Sequence, residues 1–93
     1  MNELENHIID RLKQLVPNAK LFEVRTNVSD KAYSFEFFVT IDDERYQCYE
    51  MIDNDKLNEK DFDAATKEIV EYIRTTSEYK SGEVNKFKFT AEV

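Results

Sequence analysis

Glycine, proline, histidine and cysteine each occur once in this chain of 93 residues, and tryptophan does not occur at all. With Gly82 as the sole glycine, a glycine-rich loop that cradles phosphate has nothing to be built from. One cysteine, Cys48, cannot close a disulfide within the chain, and with one histidine, His7, the four soft ligands of a zinc site are missing. Scarce glycine also bears on the turns. Two-residue hairpin turns rely on positive φ, so longer type I connections are the expectation between strands. The longest apolar run, Phe37-Phe38-Val39, is far shorter than the roughly 18 residues of a membrane span or the roughly 7–15 of a signal peptide's apolar region. The expectation from these absences is a cytoplasmic protein with no cofactor, no metal and no membrane contact.

What the chain does have is enough apolar material to fold. Hydrophobic residues make up 41%, with seven phenylalanines and five tyrosines. At this length one domain is expected, hiding about 60–65% of the surface of the unfolded chain. The net charge is −7, and the segment Glu50 to Glu71 carries eight acids against three lysines. An acidic domain repels phosphate backbones, so nucleic acid is an unlikely partner on charge alone. Solubility accounts for such acids, and so does an acidic docking face.

Periodicity gives the order of elements. Leu4, Ile8, Leu12 and Leu15 form the stripe of a helix from about Glu3 to Leu15, with Asn2 and Glu5 as a capping pair and Pro17 as the stop. Phe22, Val24 and Val28 alternate with polar residues over Leu21 to Val28, which reads as a strand. After Ser29-Asp30-Lys31, a second strand runs from Ala32 to Ile41 with Tyr33, Phe35, Phe37, Val39 and Ile41 on one face. Asp42 to Arg45 then turns into a third strand, Tyr46 to Ile52, whose inward set is either Tyr46, Cys48 and Ile52 or Tyr49 and Met51, the first being preferred. Asn58 caps a second helix with Asp61 answering back and Leu57 stapling Phe62. Its stripe is Phe62, Ala65, Ile69, Tyr72, Ile73 and Thr76, and Asp63 with Lys67 is an exposed i, i+4 pair. Beyond Gly82 a last strand spans Val84 to Val93. The reading is α+β in the order α-β-β-β-α-β: an antiparallel meander with two helices on one face and a fourth strand at an edge.

Reactive groups are few. Cys48 reads as a small apolar residue packed in a strand, His7 as an ordinary helix-surface group, and no spacing joins them. Asp53 and Asp55 begin like a calcium loop, but Leu57, Asn58 and Ala64 stand where an acid, a glycine and the closing glutamate belong. Phe38 is the exception in the second strand, an aromatic ring on the polar face among Ser34, Glu36 and Thr40. It calls for a cover, either a neighbouring side chain such as Tyr49 or a partner.

The helix, three strands and helix of Asn2 to Arg74 resemble the double-stranded RNA-binding domain, and Ala64-Ala65 looks like the paired alanines that this family packs against its sheet. Glu5 stands where that family has a first-helix glutamate that contacts RNA. Where the family presents lysines to phosphate, this chain has Glu59-Lys60-Asp61-Phe62-Asp63, and the loop Ser29-Asp30-Lys31 replaces a glycine, proline and histidine loop. The resemblance therefore implies architecture without RNA binding. Element order and acidity are also similar to the small dimeric chaperones of type III secretion, which implies a protein partner.

Together these readings favour a non-enzymatic protein-binding module, a regulator, inhibitor or adaptor, acting as a monomer or homodimer. Phe38, Tyr49, Glu59, Asp63 and Glu71 are the candidate partner-binding residues. A degenerate RNA-binding domain and a structural homo-oligomer subunit are the alternatives.

Overall fold

The computed structural model describes residues 1–93 and builds them around a four-stranded antiparallel sheet with its helices on one face. Helix α1 is Glu3–Leu15, strands β1 and β2 are Leu21–Val28 and Tyr33–Ile41, and β3 is Glu44–Gln47. Helices α2, Cys48–Asp53, and α3, Glu59–Thr75, follow, and β4 is Asn85–Glu92. The sheet order is β3-β2-β1-β4, so the α+β class and the last strand's edge position are as expected. Beneath the sheet lies one core, to which the strands contribute Phe22, Val24, Val28, Phe35, Phe37 and Val39. Leu4, Ile8, Leu12, Met51, Phe62, Ile69 and Ile73 meet them from the helices. Alternation along β1 and β2 makes this one-sided: the residues between the buried ones face water on the other side.

Local chemistry explains the helix boundaries. At α1 the Asn2 side chain accepts from the Glu5 N–H at 2.8 Å while the Glu5 carboxylate accepts from the Asn2 N–H at 3.2 Å. The Asn58 side chain likewise accepts from the Asp61 N–H at 3.1 Å, though Asp61 does not bond back. Of the exposed pair expected on α3, Asp63 and Lys67 do not meet; the helix forms its ion pair between Glu71 and Arg74, at 2.8 Å.

The expected third strand, Tyr46 to Ile52, is corrected. Pairing stops at Gln47, whose side chain accepts from the N–H groups of Tyr49 at 2.8 Å and Glu50 at 3.2 Å. Glu50 accepts from the Gln47 N–H at 3.2 Å in return. This capping box turns the chain into α2, burying Cys48 and Met51 together, which neither proposed strand face would do. Three helices, not two, therefore cover the sheet. The helix ends in a Schellman motif: Lys56 N–H donates to the Met51 carbonyl at 2.7 Å and Asp55 N–H to Ile52 at 3.1 Å, with Asp55 at φ 58°.

The turn expectation is corrected too. Ile41 pairs with Glu44, leaving Asp42 and Asp43 as a two-residue hairpin with φ of 50° and 66°. Two positive φ values in succession are the type I′ signature, and aspartate is among the few non-glycine residues that tolerate the region. The β1–β2 connection is longer, as expected, with Ser29 and Ala32 bonding across it.

A clasp joins that loop to the α3–β4 link. The Asp30 carboxylate accepts from the Tyr79 hydroxyl, from Ser81 at 3.1 Å and from the Gly82 N–H at 3.0 Å, and Arg74 donates to the Ser29 carbonyl at 2.7 Å. Buried Asn85 finishes the link, donating to the carbonyls of Lys80, Glu83 and Val28. The Tyr79 hydroxyl, with Gly82 and Ser81, holds the Asp30 carboxyl below its ordinary value.

Two outcomes follow from these contacts. Asp43→Gly, which relieves a strained φ, should stabilise the fold by about 0.5–1 kcal/mol and raise Tm by roughly 2–6 °C in a thermal melt. Because the Asp30 pKa is depressed on folding, its contribution is present above the unfolded-state value of about 4 and is lost as pH falls below it. Melts across that acid range should show a shallower loss of stability for Asp30→Asn than for the parent chain.

Candidate functional site

The sheet face away from the helices is covered by no other element. Its side chains come from alternate positions of four strands, and register places them in rows. Glu23 lies opposite Phe38 on one side and Thr90 on the other, while Arg25 lies between Glu36 and Lys88. Phe38 and Thr40 face Gln47 and Arg45 in turn. The face carries four bases, Arg25, Arg45, Lys86 and Lys88, and three acids, Glu23, Glu36 and Glu92, inside a chain of net charge −7. Most of the acidic excess thus sits on the helical side.

Phe38 is at the middle of this face and is half-buried. Its cover is Arg45, whose guanidinium carbon lies 3.7 Å from the ring centroid. Glu23 fixes that guanidinium with two bonds, at 2.7 and 3.2 Å, a forked geometry suited to arginine. The same bonds hold the Glu23 carboxyl below its usual value and raise Arg45. Around this stack runs a depression of about 80 Å³ lined by Glu36, Lys88 and Thr90 among others. That volume is well under the roughly 300–1,000 Å³ of small-molecule sites, so the depression suits a surface laid across it better than an enclosed ligand.

The five residues singled out from sequence do not converge. Tyr49 is on the other side of the sheet, which removes it as the cover of Phe38. Its ring packs edge-on against Phe62 with centroids 5.5 Å apart, and its hydroxyl donates to the Phe35 carbonyl at 2.6 Å. Burial pushes its pKa up even though 44% of the residue stays exposed. Glu59 and Asp63 lie one turn apart on the exposed surface of α3, and Glu71, two turns on, is engaged by Arg74. Arg45 and Glu23 were missed. Their signal was the position of Arg45 as the second residue after a two-residue turn, opposite Thr40, which sets it diagonal to Phe38 once the register is known.

The reactive groups occupy separate settings. Cys48 is wholly buried at the start of α2, where desolvation raises its thiol pKa and a hydrogen bond donated by the Phe37 backbone N–H only partly offsets this. His7 stacks on Tyr72, with centroids 3.7 Å apart, and bonds to Glu68 at 2.9 Å across the α1–α3 contact. No cluster of three or more His, Cys, Asp or Glu side chains has metal-binding geometry, and no helix is long and apolar enough to cross a membrane. Compared with family models, curated proteins and solved structures, the chain finds no match.

The thiol's setting predicts its reactivity. A disulfide reagent added to the native protein should modify Cys48 on the order of 100-fold more slowly than after denaturation in urea, because modification must wait for local opening. Labelling at equal rates would place the thiol at the surface.

Proposed function

We propose that this chain is a non-enzymatic, cytoplasmic protein-binding module whose partner lies across the open sheet face. The observation that carries this reading is the Phe38–Arg45–Glu23 stack at the centre of that face. An aromatic ring and an arginine held rigid by a carboxylate are the residue types that anchor protein interfaces, and mixed charge around them gives orientation and specificity. Immobilising Arg45 before binding lowers the entropy lost on association.

Nucleic acid fits the same face less well. Glu23 and Glu36 flank Phe38, and the ring surface that a base would stack on is already occupied by Arg45. A gel-shift titration with single- and double-stranded RNA at low salt is expected to show no complex.

The test of the protein-binding reading is a photo-crosslinking amino acid placed at Arg25 or Thr40, beside Phe38, in the cell of origin. Discrete crosslinked products from these positions, absent from a control at Glu59 on α3, are expected. Phe38→Ser should weaken the crosslinked complex by roughly 30-fold or more while costing the fold only about 1 kcal/mol, since the ring is half-buried. Equal products from Glu59, or an unchanged complex with a large fall in stability, would assign Phe38 to folding alone.

A further inference from the structure

Strand β4 carries a second feature, independent of the stack around Phe38. It is an edge strand of eight residues paired to β1 without a bulge, and its outer side pairs with nothing. The opposite edge, β3, has only four residues and runs straight into α2. An edge this long and regular is ready to take another strand.

Hydrogen-bond parity shows which groups are free. Val93 N–H donates to the Lys20 carbonyl at 3.0 Å, so with the register Leu21 to Glu92 the bonded partners of β1 are the odd-numbered positions of β4. The backbone N–H and C=O groups of Lys86, Lys88, Thr90 and Glu92 therefore point outward. Half-buried Phe87 and Phe89 line the core side of the same edge, at a cleft of about 190 Å³ beside Leu4 and Ile8.

The geometry points to a second copy of this chain as the occupant, through antiparallel pairing of β4 with β4. Only one two-fold register lets all four outward residues bond, and it centres on Phe89. In it Lys86 faces Glu92 of the other copy, twice by symmetry, and Lys88 faces Thr90. Phe87 meets Ala91, a large side chain against a small one, and the two Phe89 rings meet on the axis at the non-bonded position, where side chains come closest. Moving the register by two residues toward the start of the strand sets Lys88 against Lys88, a like-charge pair that is destabilising. The strand is thus self-complementary in charge, size and bonding, as a two-fold interface requires. It also lies in a slightly basic stretch, Tyr79 to Val93, where two copies of net charge −7 meet without a local excess of acid.

Sedimentation equilibrium of the full chain over a concentration series measures this. A species of twice the 11.1 kDa chain mass is expected. Thr90→Pro removes an outward N–H without touching a bond to β1 and should give a monomer with unchanged circular dichroism. Should that variant unfold, the charge pair decides. Lys86→Glu should weaken the dimer tenfold or more, and adding Glu92→Lys should restore it. Phe38→Ser should leave the mass unchanged, which separates this interface from the open-face reading. A parent chain that stays monomeric to about 1 mM overturns the proposal. So does a dimer that survives Thr90→Pro, is lost with Phe38→Ser, or ignores the charge reversal and its rescue.

Discussion

Alternation along β1 and β2 is what the rest of the molecule depends on. Every second side chain from Phe22 to Val28 and from Phe35 to Val39 is dry, and a strand with one dry face can be covered from one side only. The three helices are consequently packed on the same side, α1 and α3 against each other and α2 under β2 and β3. Within these 93 residues one layer of helix covers one face of the sheet, and no element lies over the outer face. Its exposure follows from the alternating pattern, and the residues found there are open to contact.

Much of this was legible without coordinates. The bounds of α1, the strands β1 and β2 and the Asn58 cap follow from spacing and capping alone, because the forces that set them act over three or four residues. What was missed has a common cause. Cys48 to Ile52 has the aromatic and apolar content of a strand, and glutamine is a less familiar start to a capping box than serine or threonine, so Glu50 looked like a misplaced polar residue in a strand. It is the third residue of a helix. The Phe38 cover was illegible for a different reason: Arg45 reaches the ring only through the β2–β3 register, which depends on a turn misjudged for want of glycine.

That turn belongs to a wider habit of this chain. Asp42, Asp43 and Asp55 all adopt positive φ, at a hairpin and at a helix end, while Gly82 alone does so as a glycine. Aspartate in this region costs more than glycine in the folded state, but it restricts the unfolded chain more, which offsets part of the cost. It also leaves a charged, strongly solvated group at each bend. Some of the acidity that looks like a docking signal in the sequence is thus turn chemistry.

The clasp between Asp30 and the link to β4 has a kinetic side. Asn85 bonds to Val28 across 57 positions of sequence, and closing so long a loop is entropically costly before any contact is gained. Until β4 arrives, β1 exposes the row of backbone groups that β4 will take, and another molecule's β4 can supply the same partners. Tyr79, Ser81 and Gly82 bind the turn next to β1 just ahead of the strand itself, so they hold β4 close to its own β1 and favour closure within one chain over exchange between two.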